Sequence, residues 1–339
     1  MHAGCVRGVC AAAMLSSISI GPVAAADVAD FYRGKTVQVV IPSGLGGSVG
    51  LYGKLVADFI GRHIPGQPNV ILAIKPGAGG LTAIDFIANV APKDGTVIGE
   101  VLPPSLLVPL LRDTRYDPIK IEWLGSLTAR PGILGVWHTA PATTLEGAKK
   151  IELSMGSTGV GSGNYQLPVL ANAVLGTKFK LVTGYPGGGE INIAIERGEV
   201  HGRSNYWSGW TTVKPDWIRD KKLVFMFRTG PKAPDMPDVP AFADLVGGEA
   251  RQMVRVVEAP DNVGVGFFTA PGVPADRLSA LRMAFWAMMQ DSQFLAMANR
   301  LDAPIDPVRP EAVHRVVADL YATPPAILER LKKVITPAK

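Results

Sequence analysis

Short apolar runs alternate with segments of helical periodicity along the first part of the chain. Residues 35–41, 69–74 and 96–102 are rich in β-branched and other apolar side chains, which predicts strands. Residues 51–63 carry apolar side chains at helical spacing, and residues 81–90 predict a second helix. Because strands that alternate with helices form parallel sheets covered on both faces, this pattern predicts an α/β unit.

A similar alternation follows in the second part of the chain, and the segment after Pro274 is predicted to be largely helical. The total of 339 residues is long enough for two domains of roughly 150 residues each. The two halves resemble each other in architecture and not in sequence. The further predicted strands are 133–137, 151–155, 179–183, 199–203, 223–228 and 263–269, and the further predicted helices are 164–175, 190–197 and 325–335.

Four glycine-rich loops, at 42–48, 76–80, 156–163 and 185–189, each follow an apolar run and precede a predicted helix. A strand, a glycine loop and a helix N-terminus together present backbone N–H donors to an anion. Glycine lets the backbone come close to a ligand, and the helix dipole favours negative charge. We therefore expect the loops to hold an anion without a buried Lys or Arg and without reacting with it.

The N-terminal segment predicts an export signal. Arg7 is the only charged side chain before Asp27, and an apolar stretch is followed by small residues up to Ala26. This is the pattern of a Sec-type signal peptide at residues 1–26 with cleavage after Ala26. Cys5 and Cys10 both lie inside it. An exported chain without cysteine in its mature part fits a bacterial periplasm, and no other segment is long enough to span a membrane.

Composition and motifs argue against several other functions. The formal net charge is +5, and the basic residues are scattered, unlike the basic stripe typical of nucleic-acid binding. No nucleotide-binding or metal-binding motif is complete, so neither a cofactor nor a metal is expected. Residues 46–50 match the G-x-S-x-G motif of serine hydrolases around Ser48. Too few strands precede Ser48 for that fold, but an exported hydrolase with His63 or His138 as base remains an alternative.

Several stretches, in order over nearly the whole chain after residue 26, resemble the Bug family. These proteins are the periplasmic solute receptors of tripartite tricarboxylate transporters. Lys75-Pro-Gly-Ala-Gly-Gly80 is similar to the family's most characteristic motif. The other matching stretches are 31–42 followed by Gly46-Gly47, 91–99, 156–164, 185–192, 196–202 and 267–274.

The resemblance implies an α/β protein of the two-domain periplasmic binding protein type (type II, Venus-flytrap). Each domain would be a central β-sheet flanked by helices, with residues 27–127 plus 259–339 in domain 1 and 128–258 in domain 2. Two hinge crossings are expected near Leu127 and Glu258, with the ligand in the cleft between the domains and closure by a hinge motion.

The function implied is that of a periplasmic receptor that binds a carboxylate for a transporter made of a large and a small integral membrane subunit. The protein is not expected to be an enzyme or to bind nucleic acid, and it is expected to be a monomer. The alternative is a sensing subunit that presents its ligand-bound form to a membrane kinase. The sequence does not separate these two roles, because both use the outer faces of the closed form.

The ligand-binding candidates are small or polar residues in and near the glycine loops. Two positions depart from many members of the family: Gly50 and His201 stand where an Asp is common. Both changes remove negative charge near the expected cleft, which suggests a ligand that is more anionic or bulkier than a small amino acid. The candidates are Ser43, Gly46, Gly47, Ser48, Gly79, Gly80, Ser105, Ser157, Thr158, Gly161, Ser162, Asn164, Gly187, Gly188, Ser204 and Asn205.

Overall fold

A computed structural model describes residues 23–336. Most of the predicted signal peptide, including Cys5 and Cys10, lies outside the described residues. Every helix in the described part is too short or too polar to cross a membrane. The helices of the described part include α1 (Val23–Tyr32), α4 (Val108–Leu111), α5 (Leu145–Ala148), α8 (Trp207–Val213), α9 (Pro215–Arg219), α11 (Ala275–Met288), α12 (Ser292–Arg300) and α13 (Pro310–Tyr321).

The first sheet consists of strands β1 (Thr36–Ile41), β2 (Asn69–Ile74), β3 (Val97–Glu100), β4 (Glu122–Ser126) and β10 (Gly266–Thr269). Their order across the sheet is β2-β1-β3-β10-β4. Strand β1 pairs in parallel with β2 and β3, whereas β10 runs antiparallel to β3 and β4. Helices α2 (Ser48–Ile60) and α3 (Leu81–Asn89) pack on this sheet. We call this unit the first lobe.

The second sheet consists of strands β5 (Gly132–Trp137), β6 (Leu153–Ser157), β7 (Phe179–Thr183), β8 (Gly202–Tyr206) and β9 (Leu223–Arg228). It repeats the arrangement of the first sheet, with the order β7-β6-β8-β5-β9. Strand β6 is parallel to β7 and β8, and β5 is antiparallel to β8 and β9. Helices α6 (Gly163–Leu175) and α7 (Gly188–Glu196) pack on this sheet. We call this unit the second lobe.

Two chain segments join the lobes and pair with each other. The first runs from β4 to β5, and the second runs from α10 (Gly248–Glu258) to β10. The Leu127 amide donates to the Val265 carbonyl at 3.0 Å, and the Arg130 amide donates to the Asp261 carbonyl at 2.9 Å. Helix α14 (Pro325–Ile335) packs against α4, α6 and α10, so it touches both lobes. The division at residues 127 and 258 stays a prediction.

The hydrophobic pattern located most of these elements. The segments 69–74, 179–183, 223–228 and 325–335 coincide with β2, β7, β9 and α14. The predicted β-α-β-α-β unit is confirmed, because β1, β2 and β3 are parallel. The antiparallel pairing comes from β10, through which the chain re-enters the first sheet from the other lobe, and from β4. Strand β4 was missed. It has only five residues and follows no clear alternation.

Candidate functional site

The four glycine loops meet in two pairs, each joining the two lobes. In the first pair, the Gly44 amide donates to the Pro186 carbonyl at 3.2 Å. A Cβ atom on Gly189 would lie 2.8 Å from the backbone of Gly46. Glycine at these positions therefore permits a backbone contact between loops 42–48 and 185–189 that any larger side chain would obstruct.

The second pair is formed by loops 76–80 and 156–163. The Gly161 amide donates to the Ala78 carbonyl at 3.2 Å. A Cβ atom on Gly79 would lie 2.6 Å from the Gly159 carbonyl oxygen, and Gly79 has a φ of +68° that favours glycine. The most characteristic glycine motif of the sequence thus forms a contact between the lobes.

A cavity lies between the paired loops. The cavity has a volume of about 60 Å³, which is room for about four to six water molecules. This volume suits a small organic ligand. Its apolar wall is formed by Val49, Leu102 and Leu167, and the remaining lining residues are Ser43, Gly47, Ser48, Gly132, Thr158, Ser162, Gly163, Asn164, Gly188, Arg203, Ser204, Asn205, Tyr206 and Asp261.

Three helices begin at the cavity wall. Ser48 starts α2, Gly163 starts α6 and Gly188 starts α7, and all three residues line the cavity. None of the three N-caps makes a side-chain capping hydrogen bond within the described residues. The first amides of each helix therefore keep donors that need an acceptor, and the helix dipoles favour an anion there.

Asn164 organises loop 156–163. Its Oδ1 atom accepts hydrogen bonds from the Thr158 amide at 3.0 Å and from the Ser157 hydroxyl at 3.2 Å. The Ser162 hydroxyl also donates to this oxygen. Because a backbone N–H must face an acceptor, the Asn164 amide is oriented with its oxygen toward the loop. Its NH₂ group makes no hydrogen bond within the described residues and is a donor at the cavity wall.

Arg203 contributes a buried positive charge to the cavity wall. Its side chain is 4% exposed, and its Nε atom has no hydrogen-bond partner among the described residues. The guanidinium stacks on the Trp210 ring at 4.7 Å. Burial lowers the pKa of Arg203 to about 9, with Glu190 opposing the shift, so the group stays charged at neutral pH. The expectation of an anion site without a buried Lys or Arg was wrong.

Two further buried donors on the cavity wall lack partners within the described residues. These are the Asn205 amide nitrogen and the Tyr206 hydroxyl. Buried polar groups in folded proteins are nearly always hydrogen-bonded to protein, water or ligand. Three unsatisfied donor groups, counting Arg203, therefore indicate a cavity whose natural content is rich in hydrogen-bond acceptors.

Asp261 is the one carboxyl group among the residues that line this cavity. The Thr229 hydroxyl donates to its Oδ2 atom at 2.7 Å. Burial raises the pKa of Asp261 to about 8. The carboxyl group is therefore mostly neutral at pH 7, where it adds no negative charge against an anionic ligand.

A second charged group lies buried at the crossing between the lobes. The Arg130 guanidinium sits over the Tyr52 ring of α2 at 4.8 Å and over the Tyr206 ring at the end of β8 at 5.0 Å. Its Nη1 atom is 4.0 Å from Glu100 Oε1, and both side chains are fully buried. Burial raises the pKa of Glu100 to about 8, and Arg130 opposes the shift.

The structure brings part of the predicted set together at the cavity. Ser105 is turned away, since its hydroxyl donates to the Leu102 carbonyl at 2.7 Å. Gly46, Gly79, Gly161 and Gly187 lie at contacts between the lobes, Gly80 packs on Leu102, and Ser157 is bonded inside its own loop. The predicted residues that line the cavity are Ser43, Gly47, Ser48, Thr158, Ser162, Asn164, Gly188, Ser204 and Asn205.

Gly50 and His201 do not shape the cavity wall. A Cβ atom on Gly50 would lie 2.5 Å from the Leu45 backbone, so this loop conformation leaves no room for an Asp. The His201 ring bonds to the Ser154 amide at 2.9 Å and is absent from the lining. The inference that His201 changes the charge of the cleft was therefore wrong.

Sequence reasoning missed Arg203, Tyr206 and Asp261. Arg203 could have been predicted, because it is two residues from Asn205, a predicted site residue on the same strand. Residues at that spacing share one face of a strand. Asp261 comes from the second crossing, 55 residues after Tyr206, and only the folded chain brings the two together.

Hydrolase chemistry at Ser48 finds no support in the described residues. Ser48 begins α2 and His63 follows its end, a separation of about 20 Å along a helix of that length. The His63 ring contacts Asp291 at 3.1 Å, and neither its ring nor that of His138 bonds to Ser48. Within residues 23–336, no three metal-ligating side chains form a cluster either.

The fold defined by these lobes is that of two-domain periplasmic binding proteins. The structure of the periplasmic binding protein BugD matches with a TM-score of 0.72 and 21% identity, over 89% of this chain and 98% of that chain. A protein of R. palustris, solved with adipate, matches with a TM-score of 0.67 and 20% identity, over 89% and 97%. MatC from Rhodopseudomonas palustris, solved with bound malate, matches with a TM-score of 0.66 and 20% identity, over 89% and 99%.

A relative by sequence comes from Bordetella bronchiseptica. This UPF0065 protein is 23% identical over 284 residues, which are 82% of this chain and 80% of that protein. No protein-family model matches the chain. Together the matches in sequence and in fold confirm the resemblance to the Bug family.

Proposed function

We propose that this protein is a solute-binding receptor that holds a small carboxylate in the cavity between its lobes. The observation that carries the proposal is the convergence of three uncapped helix N-termini on one cavity between the lobes. Helix N-termini bind anions through free backbone amides and a favourable dipole. The Nε atom of Arg203 and the amide nitrogen of Asn205 are buried without a partner among the described residues, so they too need a hydrogen-bond acceptor.

The contacts between the loops beside the cavity support binding by lobe closure. The two lobes touch there through the hydrogen bond of Gly44 with Pro186 and that of Gly161 with Ala78. A ligand that contacts both lobes stabilises the arrangement in which these loops meet. Ligand binding and closure are thus one event in this proposal.

The comparisons support a role in periplasmic transport. Two structural neighbours hold adipate and malate, which are dicarboxylates. We infer that the chain is exported by its N-terminal signal and delivers its ligand to a membrane transporter with a large and a small subunit. It would act as a monomer and without a cofactor.

A thermal-shift screen against aliphatic, aromatic and hydroxylated carboxylates tests the proposed activity. A ligand that binds only the folded state at 100 times its Kd stabilises it by about 2.7 kcal/mol. We expect at least one carboxylate to raise the Tm and neutral sugars to leave it unchanged. A screen in which no carboxylate changes the Tm would contradict the proposal.

Export and delivery have separate tests. Mature protein from the periplasm of a Gram-negative host is expected to begin at Asp27 when its N-terminus is sequenced. For delivery, deletion of the receptor should abolish uptake of the carboxylate found in the screen. Uptake that survives the deletion would reject the transport role while leaving the binding activity intact.

A further inference from the structure

This inference deepens the proposed function and rests on it. We propose that Arg203 binds a second anionic group of the ligand, so that the cavity selects molecules with two separated carboxylates over monocarboxylates. The first carboxylate would occupy the helix N-termini at Ser48 and Gly163. Arg203 is then the residue that determines specificity.

Arg203 is built to receive an anion. Its side chain is 4% exposed, and within the described residues it forms no ion pair and its Nε atom makes no hydrogen bond. A guanidinium carries five N–H donors in a planar fork that matches a carboxylate. Burying such a group without a partner is costly, and an anionic ligand removes that cost.

The guanidinium is also fixed in place. Trp210 packs against one face of it at 4.7 Å. Gly188, the first residue of α7, lies so close that a Cβ atom there would overlap the Arg203 Nη1 atom. The arginine therefore stands beside a helix N-terminus, and both groups favour negative charge at the same part of the cavity wall.

The nearby carboxyl groups do not neutralise Arg203. Glu190 weakens its positive field but makes no contact within 4.0 Å among the described ion pairs, and it lies instead between Gly44 and Gly187. Asp261 accepts a hydrogen bond from Thr229 and is neutral over most of the physiological range. The cavity therefore retains positive charge for an anion in addition to its backbone donors.

The cavity also has a place for the part of the ligand between two charged ends. Val49, Leu102 and Leu167 form an apolar wall. A short methylene chain can pack against this apolar wall, whereas a charged group placed there would have no partner. A cavity with room for about four to six waters is suited to a short aliphatic dicarboxylate.

The test compares succinate and glutarate with butanoate and pentanoate by titration calorimetry. Wild-type protein should bind the better dicarboxylate about tenfold or more tightly than its monocarboxylate partner. Arg203→Gln should weaken dicarboxylate binding on the order of 10- to 100-fold, because a charge-assisted bidentate contact is lost. Monocarboxylate binding should change less than about threefold. The exposed Arg219→Gln is the matched control, and it should change neither.

Other outcomes reject the inference. If Arg203→Gln keeps its Tm and binds both ligand classes as wild type does, Arg203 does not contact the ligand. If both classes weaken equally, Arg203 holds the first carboxylate. Should Arg203→Gln not fold, Arg203→Lys keeps the charge and must retain a dicarboxylate preference. Wild-type protein that binds no carboxylate would reject the proposed function itself.

Discussion

Gly46 of the first lobe lies against Gly189 of the second lobe. A Cβ atom on Gly46 would stand 3.2 Å from the Gly189 Cα atom, and one on Gly189 would stand 2.8 Å from the Gly46 backbone. The loops that contain them, 42–48 and 185–189, are candidate anion-binding loops, and they also form a contact between the lobes. The glycines therefore have two roles, since some free the backbone for a ligand and others let the lobes approach.

Gly189→Ala should weaken ligand binding. The added methyl group overlaps the opposite loop in the closed form only, and such overpacking costs about 1–3 kcal/mol. That cost corresponds to roughly 5- to 150-fold weaker binding. Titration calorimetry with the carboxylate found in the screen measures the change. Gly247→Ala is the control, because no atom lies within 4 Å of a Cβ there; if both variants bind like wild type, the lobes do not close on this contact.

Asn164→Asp should weaken anion binding without unfolding loop 156–163. The variant keeps the oxygen that accepts from Thr158 and Ser157. It replaces the NH₂ donor at the cavity wall by a negatively charged oxygen. We expect affinity to fall on the order of 10- to 100-fold, with a Tm close to that of wild type. Unchanged affinity would mean that the ligand does not reach this amide.

Affinity for a carboxylate should fall as the pH rises above 8. Burial raises the pKa of Asp261 to about 8, so its carboxyl group becomes anionic between pH 7 and 9 and repels the ligand. The Glu100 carboxyl group ionises over the same range, and Arg203, whose pKa is lowered to about 9, loses part of its positive charge at the upper end. We expect a loss of at least about threefold from pH 7 to 9. Asp261→Asn should make the profile less steep between pH 7 and 8; a variant with the wild-type pH profile would refute the assignment to Asp261.

Protein stability should also fall as the pH rises from about 4 to about 8. Burial raises the pKa of Glu100 from 4.5 to about 8, so the folded state keeps a proton that the unfolded state has lost. Stability decreases with pH wherever the folded state binds more protons. Glu100→Gln should make the free energy of unfolding less dependent on pH, as measured by urea unfolding between pH 5 and 8. An unchanged slope would show that Glu100 is already ionised in the folded protein.

The sequence predicted the architecture more completely than it predicted the candidate site. The bounds of strands such as β7 and β9 were predicted to the residue, because the hydrophobic periodicity and the turn residues that define a strand are local features of the sequence. The family resemblance linked the glycine loops to one cleft. Their pairing across the lobes joins residues that are far apart in the chain, such as Gly46 with Gly189 and Gly79 with Gly159, and no local pattern encodes it.

The burial of charged residues at the cavity wall is the other property that could not be predicted from the sequence. Arg203 and Asp261 are charged residues of kinds usually found at the surface, and both are enclosed here. Their altered pKa values follow from this burial. Only the packed lobes enclose these residues, so the positive charge of the cavity could not be predicted from residue types alone.

The central claim is that the cavity between the lobes binds a carboxylate. Titration of wild-type protein with succinate, malate and adipate at pH 7, followed by calorimetry, tests it most directly. The prediction is saturable binding of at least one of them with one ligand per chain, weakened by Gly189→Ala. No saturable heat with any of the three, nor with their monocarboxylate counterparts, would contradict the claim.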